Sequence, residues 1–459
     1  MKTVLIANRG EIACRIIQAC RKVGLRSVAV CSQSDASARH VALADDSFVL
    51  GPAPARQSYL NVDAVLKAAQ DARADAIHPG YGFLSENAEF ARLVEDRGMI
   101  WLGPRAETIA IMGDKGQARM AAIAAGVPVL PGSVPIRLDD AADLDALAAQ
   151  VGYPLLVKAT AGGGGIGMRR VDGPDDLAAV VRTAQKLAER TFGDGTVYLE
   201  RFVARAHHIE IQVFGDGAGR VAVFPERDCT MQRRFQKILE ETPAPGLSNA
   251  VRAEMQDAAK RLSAAQTYRS AGTVEFIFDA DKGDWFFLEM NTRIQVEHRV
   301  TEMATETDLV AMQMQLAMGT LGDLAEVYPL IEQRCVIEAR ICAEAPEKGF
   351  LPQPGRLTRL DLPKAGDNVV VDCGLRAGDD VSPHYDSMIG KIIAKGRTRD
   401  EALDRLGRAL EQTRIEGVMT NIGFLRVLLL NRDFVEGRVH TRYVDENVAR
   451  LVDEMQITA

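Results

Sequence analysis

No apolar stretch in the 459 residues approaches the ~20 consecutive residues that a transmembrane helix needs, so a spanning segment of that kind is excluded. The opening run Val4-Leu5-Ile6-Ala7 is too short for the core of a signal peptide and reads as a buried first strand. Cysteine is sparse: seven residues, an odd number, scattered and without a C-x-x-C pair. That argues against a disulfide framework and predicts reduced, mostly packed thiols in a cytosolic, cytoplasmic protein. Cys14, Cys20 and Cys31 fall in helix or strand patterns, so none reads as a nucleophile. Positive charge is outnumbered, with 55 Lys and Arg against 63 Asp and Glu, a net charge of −8, which argues against a general nucleic-acid binder. Internal repeats and low-complexity tracts are also missing. What is there is ordinary globular usage, 47% hydrophobic and 26% charged, over a length that predicts about three domains or two large ones.

Along the chain, strand patterns at Val4–Ala7, Ser27–Cys31 and Ala74–His78 alternate with a helical pattern at Glu11–Val23, which predicts a doubly wound parallel sheet. A second region starts with a helix at Asp114–Ala125, stopped by Gly126 and Pro128. Leu155–Lys158 reads as a strand, Gly167–Val171 as a second run, and Asp172-Gly173-Pro174 as the opening of a long helix. Ile209–Phe214 and Val274–Phe278 alternate like antiparallel strands. A third region, from about Arg334 to Ala449, is strand-rich to Lys395 and is expected to close with an amphipathic helix at Arg399–Thr413. The fold class is therefore mixed, α/β followed by α+β.

Four constellations carry chemistry. The run Ala161–Met168 holds five glycines beside Lys158. It fits neither a dinucleotide fingerprint, because a strand and not a helix follows, nor a P-loop, because no Gly-Lys-Ser/Thr follows. It reads as a glycine hairpin whose N–H groups can approach phosphate oxygens, or as a mobile surface hairpin. Second, folding Thr273–Phe278 against Trp285–Asn291 brings Glu275 beside Glu289, and Asn291 shares the Glu289 face. Two facing carboxylates call for a cation such as Mg²⁺, unless the hairpin simply faces solvent. Third, Arg293, Gln295 and Glu297 continue the same parity, so an extended chain would line a site wall with an oxyanion-binding Arg and a carboxylate base. Alone, the segment could equally be a salt-bridged surface strand. Fourth, Glu226–Lys237 is dense in charge; a solvated loop or a nucleic-acid patch are the bland readings, and the acidic balance of the whole argues against the patch. Upstream of it, His208, Glu210 and Gln212 share a strand face, where His208 is structural or reaches a nucleotide.

Taken in order, several segments resemble biotin carboxylases: Ile6–Arg15, His78–Asn87, Met112–Lys115, Ala161–Met168, Glu226–Lys237, Glu289–His298 and His384–Lys391. The resemblance covers essentially the whole chain and its motifs are long. It implies a Rossmann-like N-terminal domain over 1–113, an ATP-grasp domain over 114–330 with a mobile glycine-rich lid at about 131–203, and a biotin carboxylase C-terminal domain over 331–449. The implied reaction is carboxylation of N1′ of protein-bound biotin with bicarbonate and MgATP.

By that resemblance, Lys115, Lys158, Gly163, Gly164 and Gly165 bind ATP phosphates, and Glu200, Arg201 and Val203 meet the adenine, with Ile415 covering it. His208 and Gln232 lie by the ribose and phosphates. Glu275, Glu289 and Asn291 hold two Mg²⁺ or Mn²⁺ ions, with Glu275 also counted among the ATP contacts. Lys237, Arg293, Gln295 and Val296 hold bicarbonate, Glu297 is the base, Arg340 stabilises the biotin enolate and Tyr81 lies near biotin. Asp386 supports the site or a dimer interface. The sequence departs from the family pattern at Phe235, usually His, at Arg299, usually Pro, and at Cys342-Ala343-Glu344-Ala345, usually Asn-Ala-Glu-Asp. No Met-Lys-Met biotinylation motif occurs. A free-standing, homodimeric subunit is expected, served by a separate biotinyl carrier protein and a carboxyltransferase. The parent enzyme is expected to be an acetyl-CoA or other acyl-CoA carboxylase, in fatty acid biosynthesis for the former. Urea, guanidine and 2-oxoacid carboxylases are the runners-up. A different ATP-grasp carboxylate–amine ligase, or a non-catalytic nucleotide-binding subunit, are the remaining alternatives. No nucleic acid or membrane partner is expected.

Overall fold

The computed structural model describes residues 1–137, 143–160, 168–324 and 334–458. The N-terminal strands form a parallel sheet in the order Asp46–Gly51, Arg26–Ser32, Thr3–Ile6, Ala76–His78, Ile100–Trp101. Alternation sends Val4 and Ile6 to one face, against Ile12, Ile16 and Ile17 of the helix Gly10–Lys22. Leu5 goes to the other, with Val28, Ile77, Leu66 and Phe90. Beyond the strand ends, Asn8 Nδ2 donates to the carbonyls of Pro79 and Tyr81, both at 2.7 Å. Gly80 at φ +64° permits this approach: a Cβ there would lie 2.8 Å from Asn8 Nδ2. Tyr81 is thereby fixed at the carboxyl edge of the sheet, where open α/β sheets place ligands.

The organising element is an eight-stranded antiparallel sheet. Its order is Trp285–Asn291, Arg269–Asp279, Ala206–Asp216, Val221–Asp228, Leu239–Thr242, Cys335–Cys342, Met388–Gly396, Val369–Cys373. Strands from before and after residue 330 thus hydrogen-bond in one sheet, through the pairing of Leu239–Thr242 with Cys335–Cys342. Registers align like with like. Thr273 and Glu275 face Asn291 and Glu289 on one side and Gln212 and Glu210 on the other. Arg227 faces Glu210, Glu240 faces Glu338, and Lys391 faces both Arg340 and Asp372. One face is therefore a polar and charged stripe. The opposite face carries Ile209, Ile211, Val213, Val274 and Phe276 into one core and Leu239, Ile337, Ala339 and Ile392 into another.

A three-stranded sheet of Arg169–Val171, Leu155–Ala159 and Val197–Arg201 packs with the helices Leu144–Val151 and Pro174–Phe192 around its own small core. Pro174 opens its helix at the first position, as its fixed φ favours. The expected helix at Arg399 spans Arg399–Gln412, but it does not close the third region. Helices Ile422–Leu430, Arg432–Val435 and Tyr443–Thr458 follow, and Phe424, Leu428, Val444 and Leu451 complete that core. Among the described residues no helix is long and apolar enough to cross a membrane.

Asp308 joins the N-terminal unit to the rest. It caps the helix Leu309–Met318 through the Ala311 N–H at 2.9 Å, pairs with Lys22 at 2.9 Å, and accepts from the buried Arg15. Burial pushes its carboxyl up, but Arg15 and then the cap N–H outweigh that and hold it at about 2. Below the ordinary value near 4, this contribution to stability is complete above about pH 4 and is lost as the pH falls through about 2. Thermal midpoints at pH 7 should run wild type, Asp308→Asn, Asp308→Ala, because Asn keeps the cap but not the charge. The gap between wild type and Asp308→Asn should close on acidification toward pH 2; a pH-independent gap would refute the ionic part.

Candidate active site

At the centre of the charged stripe stands Lys237. Its Nζ lies 2.6 Å from Glu210 Oε2, 2.8 Å from Glu275 Oε1 and 2.7 Å from Glu297 Oε1. A two-strand hairpin, Gln232–Arg233 with Gln236–Lys237, delivers it. The turn residues Arg234 and Phe235 both have positive φ, +47° and +66°, where Asn-Gly would be easier. The Arg234 N–H donates to the Asp445 carboxylate at 3.1 Å, tying the turn to the last helix, and the Phe235 side chain is exposed. The expectation of a solvated loop over Glu226–Lys237 is thus overturned: Glu226 and Arg227 are fully buried, because this run enters the sheet.

Arg227 spends all its donors on the stripe. Nε donates to Glu210, Nη1 to Gln212 at 2.9 Å and Thr301 at 2.6 Å, and Nη2 to Gln295 at 2.8 Å and Thr273 at 3.3 Å. Its planar fork orients Glu210 and Gln295 at once, which an ammonium could not do. His208 Nε2 lies 2.8 Å from Glu275 Oε2, and Gln232 Nε2 is 3.3 Å from His208 Nδ1. Burial alone would lower the imidazole, but the Glu275 charge outweighs it and raises it.

The chain from Asn291 to Glu297 does not stay extended, contrary to the wall expected from parity. The strand ends at Asn291, the backbone turns, and Glu297 sits at the start of the helix His298–Thr305. The polar side chains converge by turning instead. Gln295 Nε2 and Asn291 Nδ2 donate to Glu275 Oε1 at 2.9 and 2.8 Å, and Arg293 donates to Asn291 Oδ1 at 3.0 Å and to Glu86 at 2.8 Å. Arg340 is held at both ends, Nε on Glu240 at 2.5 Å and Nη2 on Glu297 at 2.9 Å. Burial would push the Glu297 carboxyl up. The Lys237 ammonium, then Arg340 and Arg227, outweigh it and hold Glu297 well below the usual carboxylate range.

Glu289 stands in register with Glu275, its side chain open to solvent and, among the described residues, unpaired with any cation. Two facing carboxylates and an amide oxygen are an all-oxygen set that suits a hard divalent cation. Atoms of His208, Glu210 and Glu275 also lie within 4.8 Å of one another, but Lys237 already neutralises that group.

The other expected residues form separate groups. Lys158 pairs with Glu200 on the three-stranded sheet, and Arg201 donates to the Val151 carbonyl at 3.2 Å. Val203 is buried with Leu130 and Ala206. Among the described residues, no hydrogen bond or ion pair joins Lys158, Glu200 or Arg201 to the Lys237 cluster. Lys115 opens the helix Lys115–Ala124 and its charge acts on Glu289. Ile415 is half-buried against the C-terminal core, on a strand paired with Arg359–Asp361. The Tyr81 hydroxyl donates to Glu11. Asp386 is exposed and accepts from the Met388 N–H at 2.8 Å. Gly163, Gly164 and Gly165 lie outside the described residues. Sequence reasoning assigned no role to Arg227, Glu210, Glu240 or Lys391. The available signal was strand parity, which places all four on the same face as Glu275 and Arg340.

Three family models divide the chain: biotin carboxylase, N-terminal domain, over 1–109; carbamoyl-phosphate synthase L chain, ATP binding domain, over 114–325; and biotin carboxylase C-terminal domain, over 338–446. Biotin carboxylase 1 of Bacillus subtilis is 46% identical over 445 residues, 97% of this chain and 98% of that one. The chain belongs to the biotin carboxylase family. It is accordingly an ATP-dependent ligase of the biotin-carboxylating half-reaction. The family also supplies parts of longer proteins: the rat mitochondrial methylcrotonoyl-CoA carboxylase subunit alpha is 44% identical over 97% of this chain, which spans only 62% of it. A solved biotin carboxylase domain dimer of Hydrogenobacter thermophilus 2-oxoglutarate carboxylase, with MgADP, ADP and bicarbonate, superposes with a TM-score of 0.87. It is 40% identical over 98% of both chains.

One departure from the biotin carboxylase pattern finds charged partners. Arg299 forks onto Asp372 at 2.8 and 3.1 Å and reaches Glu302 at 2.9 Å. In the Cys342–Ala345 segment, Glu344, which matches the pattern, accepts from Ser387 at 3.0 Å and lies 3.5 Å from Arg233. The structure gives no polar partner to the Phe235 side chain. Removing a buried ionic partner typically costs about 3–5 kcal/mol. Arg227→Met should therefore lower the thermal midpoint strongly, and Arg227→Lys less, since the charge survives without the fork. A wild-type midpoint for Arg227→Met would show that the other contacts suffice.

Proposed function

We propose that the Lys237 cluster is where bicarbonate is activated by ATP, and that the product CO2 carboxylates biotin on a separate carrier protein. The observation that carries this reading is the triad Lys237–Glu297–Arg340, a base gripped by two cations that an entering anion must share. Bicarbonate taking Lys237, Arg293, Gln295 and the Val296 N–H would draw charge away from Glu297. The Glu297 carboxylate then gains proton affinity as its substrate arrives. Glu297 removes the bicarbonate proton, and the oxyanion attacks the ATP γ-phosphorus, releasing ADP and forming carboxyphosphate. Carboxyphosphate breaks into CO2 and phosphate, the phosphate accepts the N1′ proton of biotin, and Arg340 stabilises the enolate oxygen until N1′ attacks CO2. Glu275, Glu289 and Asn291 would hold one or two Mg²⁺ or Mn²⁺ ions, which supply positive charge to the ATP phosphates.

For the nucleotide, Lys115, Lys158 and the glycine loop at 163–165 are assigned to the phosphates, and Glu200, Arg201, Val203 and Ile415 to the adenine, with His208 and Gln232 between. Lys158 must exchange Glu200 for phosphate, so nucleotide entry and rearrangement of this pair are one event. Tyr81 is assigned to biotin. The finer reading is a homodimeric subunit serving a carrier and a carboxyltransferase of an acetyl-CoA or other acyl-CoA carboxylase. It is supported by the match along nearly the whole bacterial relative.

Phosphate release from MgATP should require bicarbonate and be stimulated by free biotin; indifference to bicarbonate would sink the assignment. Glu297→Gln should leave the KM for ATP nearly unchanged and lower bicarbonate-dependent turnover by about 10²-fold or more, the usual scale for a positioned base. Arg340→Ala should spare bicarbonate-dependent ATP hydrolysis more than biotin carboxylation. Equal losses in the two assays would argue against the enolate role.

A further inference from the structure

The charged stripe continues past Arg340, where the N-terminal helix Gly10–Lys22 and the helix His298–Thr305 cover it. There Lys391 is completely buried. Three carboxylates stand around its Nζ, Glu11 at 3.7 Å, Glu338 at 3.9 Å and Asp372 at 4.0 Å, yet its nearest contact is a neutral one, the main-chain carbonyl of Val296. The carboxylates set the charge of the pocket, and among the described residues the hydrogen bond of Lys391 goes to the loop that carries Gln295, Val296 and Glu297. The same Glu11 accepts the Tyr81 hydroxyl. A chain of contacts thus runs from Tyr81 through Glu11 and Lys391 to the Val296 carbonyl. It joins the parallel sheet of the N-terminal unit to the edge of the Lys237 cluster, and neither end uses Lys391 to touch a reactant.

We propose that Lys391 is a positioning residue that fixes the Val296 peptide for bicarbonate and couples that peptide, through Glu11, to Tyr81 at the biotin side. The inference rests on the reading of Val296 as a bicarbonate ligand and of Tyr81 as a biotin contact. The Val296 carbonyl shares its peptide plane with the Glu297 N–H, while the Val296 N–H lies in the preceding plane, whose Gln295 carbonyl is held by His298 Nδ1 at 2.7 Å. Locking the Val296 carbonyl limits rotation about the Val296 α-carbon and so holds the two planes, and the N–H donor between them, in one arrangement. Misplacing such a donor weakens the bound anion without touching the nucleotide.

The test is steady-state kinetics of bicarbonate-dependent ATP hydrolysis, with and without free biotin, on the full chain. Lys391→Met should raise the KM for bicarbonate tenfold or more while the KM for ATP stays within twofold. Glu11→Gln keeps the shape and an acceptor for Tyr81 but removes the shared charge. It should raise the KM values for bicarbonate and biotin together, each severalfold, and it decides the question where Lys391→Met does not fold. An unchanged bicarbonate KM in folded Lys391→Met, or a Glu11→Gln effect confined to biotin, overturns the proposal. So does a fall in kcat with every KM preserved, which is what a merely structural lysine would give. Wild-type protein lacking bicarbonate-dependent hydrolysis would instead overturn the functional reading beneath it.

Discussion

Three carboxylates share the ammonium of Lys237, and the rest of the site is arranged by that fact. Withdrawing a carboxylate from water costs several kcal/mol, and here Glu210, Glu275 and Glu297 are withdrawn together. Their charges are tolerable only because Lys237 touches all three while Arg227 and Arg340 take the remaining oxygens of Glu210 and Glu297. The three acids come from two strands and the start of a helix, and the lysine from a separate hairpin. The cluster therefore exists only when sheet, hairpin and helix are in place. It is internally satisfied as it stands, so a substrate anion does not fill a gap. In the proposed function the entering anion competes for cations already in use, and Glu297 is the group that loses them. Activation of Glu297 as the proposed base is then a consequence of binding.

The eight-stranded sheet explains why so many charged groups meet. A strand shows alternate residues to opposite faces, and in-register pairing stacks those residues across strands. Once Glu275 is paired with Glu210 and Glu289, and Arg340 with Lys391, each charged residue has charged neighbours on both sides. One end of the stripe is covered by the N-terminal helix and the other lies open. The covered end, with Arg15, Glu302, Asp372 and Lys391, and the other end, where the buried Glu275 lies between the part-buried Lys237 and the exposed Glu289, are chemically alike. Among the described residues, coverage separates the structural ion pairing from the proposed site.

How much of this could be read from the sequence follows from the range of each interaction. The strand at Thr3–Ile6, the helix opened by Pro174 and the pairing of Glu275 with Glu289 depend on neighbours close in the chain, and alternation or a helix start signals them. The buried state of Arg227 depends on Glu210, Gln212, Thr273, Gln295 and Thr301, brought together only by the sheet, so a dense charge run looked like a loop. The extended reading of Arg293–Glu297 failed for a related reason. Parity correctly grouped those side chains, but the helix His298–Thr305 starts at once and bends the backbone, and hydrogen bonds to Glu275 and Glu86 aim Gln295 and Arg293 instead. The helices after residue 420 were missed because Ile422–Leu430 is almost wholly apolar, which gives no helical contrast of faces.

The covered end also gives a physical reason for Arg299. Without it, Glu11, Glu302, Asp308, Glu338 and Asp372 would face Arg15, Lys391 and, at the surface, Lys22. Arg299 supplies a further cation, forked on Asp372 and touching Glu302. Asp372 is then held ionised, below its ordinary value despite burial. Glu338 goes the other way: burial, only partly offset by Lys391, pushes its carboxyl well above the ordinary value. A buried ionic network of this kind is weak support for stability, since well-packed apolar groups would serve as well. Its use is geometric. It fixes one ammonium against one peptide, next to Glu297.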